Sequence, residues 1–143
     1  MPRRVGPLLV VLGVSALLPG PVSAEEKKQR EVVVTSPKAG DKVEQFTDVE
    51  GRMNVKEGWP VVLVKPLVGD QPWWVQSPVE SVENGKFIAA SQFGDAATKE
   101  GTKFRIVIVL APSKAAAMKF EKGMQRSSPP AGLTRSDYVT VTR

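Results

Sequence analysis

The chain of 143 residues contains no cysteine and no histidine. Without cysteine there is no disulfide staple, so burial of apolar surface alone must hold the fold. Without either residue, a Ser-His-Asp triad, a Cys-His pair and the His- or Cys-based zinc sites are all excluded. Aromatic residues are few: three Trp, five Phe and one Tyr. No Arg-rich arm and no RNA-binding aromatic signature is present, and the charges are evenly interspersed, which argues against nucleic acid as a partner. No apolar run reaches the roughly 20 residues that a membrane-spanning helix needs.

What is present begins with a pattern typical of export. Arg3 and Arg4 form a basic start, residues 5–18 are an apolar run of 14, Pro19-Gly20-Pro21 breaks it, and Val22-Ser23-Ala24 supplies small residues for cleavage. Residues 1–24 therefore read as a signal peptide, and the protein is expected in the periplasm or outside the cell. No cysteine follows the run to carry a lipid, so no stable membrane anchor is expected after cleavage. Removing the first 24 of 143 residues leaves 119, an ordinary size for one domain. Taking Arg3 and Arg4 from the 20 basic residues leaves 18 against 15 acidic ones, a net charge of +3. Residues 25–30, Glu-Glu-Lys-Lys-Gln-Arg, form a charged leader with no apolar face.

Residues 31–143 alternate short β-branched runs with turn signals. Strands are expected at 31–36, 46–55, 61–65, 73–76, 86–93, 102–110 and 138–142. In 46–55, Val49, Gly51, Met53 and Val55 share one face, while Asp48, Glu50, Arg52 and Asn54 share the other. That is a strand with one wet side. In 102–110, Phe104, Ile106, Ile108 and Leu110 line one face and Arg105, Val107 and Val109 the other, so this strand is expected to be covered on both sides. Asn84-Gly85 marks a tight hairpin turn. Residues 114–122 read as a short helix, with Ser113 as its cap, Gly123 as its stop, and Ala116 and Phe120 on one face. The expectation is an all-β protein: an antiparallel β-sandwich of about seven strands with one short C-terminal helix.

Val34-Thr35-Ser36-Pro37-Lys38-Ala39-Gly40-Asp41-Lys42-Val43, followed by Val49-Glu50-Gly51, resembles the opening of bacterial immunoglobulin-like domains. Gly85-Lys86-Phe87, the stretch from Gly101 to Ile106, and Val139-Thr140-Val141 also sit where such modules place strands. The resemblance implies an immunoglobulin-like sandwich over residues 31–143 and a role in binding, spacing or assembly; it implies no catalytic set and no cofactor. The Trp73-Trp74 pair and the 114–122 helix depart from the plain form of that pattern.

Candidate chemistry is correspondingly sparse. Glu80 and Glu83 flank a turn and read as solvated loop charges, not as a glycosidase pair. Asp41, Glu44, Asp48 and Glu50 could offer oxygen ligands to calcium, but their spacing matches no calcium loop. The informative stretch is 58–78, which holds all three tryptophans. Consecutive side chains of a strand point to opposite faces, so Trp73 and Trp74 cannot both enter one core. Either one of them lies at the surface, or the second is covered by the late helix or a loop. Trp59, before Pro60, reads as a packing residue.

The functional expectation is a non-catalytic exported binding module. Association with an envelope or extracellular protein would use the face carrying Val107, Val109 and one of Trp73 or Trp74. The alternative is a glycan or wall polymer stacked on an exposed tryptophan. The outer apolar face with Val107 and Val109 needs a cover; the 114–122 helix with Phe120 is the simplest, and a partner or second copy is the rival.

Overall fold

The computed structural model describes residues 31–143. The expected signal peptide and charged leader fall on residues 1–30, outside the described residues. The elements are β1 (Val32–Ser36), β2 (Phe46–Met53), β3 (Trp59–Pro66), β4 (Trp73–Val75), β5 (Lys86–Gln92), β6 (Lys103–Ala111), α1 (Lys114–Met118), β7 (Gln125–Arg126) and β8 (Val139–Thr142). They form two antiparallel sheets, one of three strands in the order β1-β2-β5 and one of five in the order β7-β4-β3-β6-β8. The expected all-β antiparallel sandwich with one short helix is therefore the architecture.

Alternation decides what each strand buries. Val49, Gly51 and Met53 of β2 and Phe87, Ala89 and Ser91 of β5 turn inward, and their neighbours face water. They meet Val62 and Val64 of β3, Phe104, Ile106, Ile108 and Leu110 of β6, and Val141 of β8 in the core between the sheets. Phe93 and Phe104 sit edge to face with centroids 5.6 Å apart, a geometry that adds about 0.5–1.5 kcal/mol to the burial itself. A second apolar cluster lies on the opposite, outer face of the five-stranded sheet. It contains Val61, Leu63, Trp73, Val75, Val107, Val109 and Ala111, and Ala117 of α1 buries into it.

Local chemistry sets the turns. Asn84 and Gly85 both adopt positive φ (54° and 77°), and two backbone hydrogen bonds of 2.9 Å join Glu83 to Lys86. This is the left-handed pair that a two-residue hairpin requires. After β1 the chain crosses between sheets: Gly40 and Val43 N–H donate to the carbonyls of Thr140 and Thr142. One edge segment thus ties the two layers together.

Strand ends shift by a residue or two from the sequence expectation, and three differences have a physical reason. Strand β3 runs through both prolines, because β4 pairs only with Leu63 and Val64 and leaves the two ends as edges, where proline is tolerated. The helix spans five residues instead of nine: Ser113 Oγ accepts the Ala116 N–H at 3.1 Å, but the helix is already capped at Lys119. Gly123, with φ of 86°, serves a different turn, in which its N–H donates to the Val75 carbonyl. That turn admits an eighth strand, β7, in a segment expected to be loop; two residues show no period to read.

Gly51 marks a point of close approach between the two sheets in the core. A Cβ there would stand 2.5 Å from the Phe87 ring and 2.8 Å from Ile108 Cδ1. Gly51→Ala is expected to destabilise by about 1–3 kcal/mol through overpacking. The check is a lower urea midpoint at unchanged m-value.

Candidate functional site

The two sheets are unequal, and the site follows from that. The three-stranded layer ends at β5, while the five-stranded layer continues to β4 and β7. The inner side of β4 therefore opens into a groove. Alternation sends Trp73 to the outer face and Trp74 to this inner side.

Trp73 is buried, with its ring 5.5 Å from that of Tyr138 at a tilt of 33°. Trp74 is half-buried and borders a cavity of about 670 Å³, shared with Val64, Phe104, Gln76 and Gln92. The end of β3 supplies Pro66 and the loop before β4 supplies Val68 and Gln71; the loop after β5 supplies Asp95, Thr98 and Lys99. A cavity of this size suits a small ligand.

Hydrogen bonds hold its walls in place. The side chain of Gln76, only 6% exposed, bridges the layers: its Oε1 accepts the Gln92 N–H at 2.8 Å and its Nε2 donates to the Trp74 carbonyl at 3.0 Å. Gln92 Nε2 in turn donates to the Gly94 carbonyl at 2.8 Å. In the next loop, Asp95 Oδ1 accepts the Ala97 N–H at 2.8 Å and Thr98 Oγ1 accepts the Asp95 N–H at 2.9 Å. Arg143 Nη1 donates to the carbonyls of Phe93 and Asp95. The tryptophan thus borders a polar rim of amides, the hydroxyls of Thr98 and Thr102, one carboxylate and the lysines Lys99 and Lys122. Among the described residues lining the groove Asp95 is the single carboxylate, so the paired acid and base of glycoside hydrolysis are not assembled there.

The structure separates the four surface candidates. Val107 and Val109 are fully buried, and Trp73 is 4% exposed, beneath α1 and its neighbours Phe120 and Leu133. They do not form a face open to a partner, because the chain covers that face itself. Trp74 alone borders open space. Glu80 and Glu83 are exposed around the hairpin turn, and Asp41, Glu44, Asp48 and Glu50 are not brought together; among the described residues no group of three or more acidic side chains could hold a metal. Trp59 packs against both apolar clusters and donates from Nε1 to the Val79 carbonyl at 2.8 Å. Gln76 was legible in principle, since it lies two residues beyond Trp74 and so shares its face; the 94–99 wall, distant in sequence, carried no such signal. No family model, curated protein or solved structure matches this chain.

The two neighbouring tryptophans should respond differently to truncation. Trp73→Ala empties a buried site and is expected to cost about 3–5 kcal/mol, while Trp74→Ala should cost less than half as much. Chemical denaturation of the two variants checks this order.

Proposed function

We propose that this chain is a non-catalytic, exported binding module of immunoglobulin-like architecture that takes a carbohydrate ring in the groove beside Trp74. The observation that carries the reading is a half-buried indole bordering a cavity of about 670 Å³ whose rim is amide, hydroxyl, carboxylate and lysine. A flat aromatic face covers the apolar C–H face of a sugar at little conformational cost, and fixed polar groups around it select hydroxyl positions. The pattern of residues 1–24 supports export to a place where glycans and wall polymers are met. The strand order supports the immunoglobulin-like reading, with the first, second and fifth strands facing the rest. Association through Val107 and Val109 loses its support, since both are buried within the chain.

Titration with neutral and acidic oligosaccharides, followed by tryptophan fluorescence, tests the proposal. A saturable change is expected, weakened at least about tenfold in Trp74→Ala, a loss of roughly 1.4 kcal/mol, and retained in Trp73→Phe. A flat response across the panel, or one that survives Trp74→Ala, removes the groove as a sugar site.

A further inference from the structure

The outer face of the five-stranded sheet is apolar only in part. Toward one end of β6 it becomes basic. The register sets Lys65 beside Arg105 and Arg105 beside Thr140. Trp73 lies two residues from Val75, the partner of Leu63, and so shares the outer face with this row; Arg126 pairs with Trp73 from β7. Lys65 and Arg105 thus stand side by side on this face, and Arg126 stands on the same face beyond Trp73, with its Cζ 5.7 Å from the Phe120 ring centroid.

Tyr138 gathers a fourth cation to this group. The Cζ atoms of Arg105 and Arg135 lie 5.1 and 5.0 Å from its ring centroid. Arg135 Nη1 also donates to Tyr138 Oη at 2.7 Å. The two guanidinium carbons are therefore no more than about 10 Å apart, close enough to repel each other within one Debye length. Tyr138 is itself 40% exposed and rests on Trp73. Asp137, its neighbour in the chain, has interactions of its own.

Packing alone does not account for Arg105. Its Nε is buried without a hydrogen-bond partner, an arrangement that a neutral side chain over Tyr138 would avoid. What arginine supplies there is a fixed, permanently charged planar fork. Such forks suit tetrahedral oxyanions, and several cations from separate strands favour a multiply charged group over a single carboxylate.

We propose that Arg105, Arg135 and Tyr138, with Lys65 and Arg126 on the same face, form a binding site for a phosphoryl group, free or esterified. The site lies on the face of the sheet opposite the groove and does not depend on Trp74.

Isothermal titration of the full chain with inorganic phosphate and with glycerol 3-phosphate, at constant ionic strength set by chloride, tests this. Saturable binding is expected, weakened at least about tenfold in Arg105→Gln and in Arg135→Gln, and unchanged in Trp74→Ala. Tighter binding of the ester assigns the site to phosphate esters, and equal binding assigns it to the phosphoryl group itself; both support the proposal. Arg105 is packed against the sheet, so a thermal melt accompanies each variant, and exposed Arg135 keeps the test decisive if Arg105→Gln does not fold. Failure of the wild-type chain to bind either probe, or wild-type binding by Arg135→Gln, overturns it.

Discussion

A strand that is apolar on both faces cannot be left with either face in water. Strand β6 is such a strand: every residue from Ile106 to Ala111 is buried. Each fully buried Val, Leu or Ile side chain contributes about 1.5–3 kcal/mol, so uncovering either face would remove much of the stability of a domain this size. The rest of the architecture answers this constraint. The three-stranded sheet covers the inner face. The chain after β6 turns back at once, and α1, Phe120 and Leu133 cover the outer one. Residues 134–136 then run along the edge of β6, where Ser136 Oγ accepts the Ile108 N–H and Ser136 N–H donates to the Ile108 carbonyl.

The same economy of cover explains where the groove lies. Three strands suffice to close the inner faces of β3, β6 and β8, but not that of β4. A further strand facing β4 would have sealed the inner side of Trp74 as the chain's own cover, with Tyr138 resting on the indole, seals the outer side of Trp73. Instead Gln76 spans the gap with its amide, which satisfies one group on each layer while leaving the space beside it open. The groove is therefore a consequence of unequal layers joined by a polar strut, and hydrogen bonds tie its β4 wall to β5 and β5 to the 94–98 loop.

The legible parts of the sequence were those governed by local periodicity. The alternation of 46–55 and the two apolar faces of 102–110 depend only on neighbours along one strand, and they placed Val49, Gly51, Ile106 and Ile108 correctly. Asn84-Gly85 was readable because only residues that tolerate positive φ serve at both turn positions. The opposition of Trp73 and Trp74 was readable too, but not its direction. Which of them faces water depends on where the three-stranded layer stops and on what the 119–138 segment covers, and both are long-range facts. Strand β7 and the 94–99 wall were illegible for the same reason. Two residues carry no period, and Asp95 and Thr98 hydrogen-bond within their own loop, a pattern as common in plain turns as in binding sites.

Sequences that specify one fold usually agree with it at every level, and local disagreements tend to collect where something other than stability is being served. In this protein most levels agree. Apolar residues fill both clusters, the hairpin has its left-handed pair, and the helix has its serine cap. Against that background two departures stand out, a large aromatic beside open space at Trp74 and a buried guanidinium nitrogen without an acceptor at Arg105. Neither is needed to close the sandwich, since phenylalanine or leucine would serve the first position and a neutral chain the second. They occur on opposite faces of one sheet, Trp74 on β4 and Arg105 on β6, with β3 between them. That is the physical ground for proposing ligands at these two positions and leaving the remaining apolar positions to the fold.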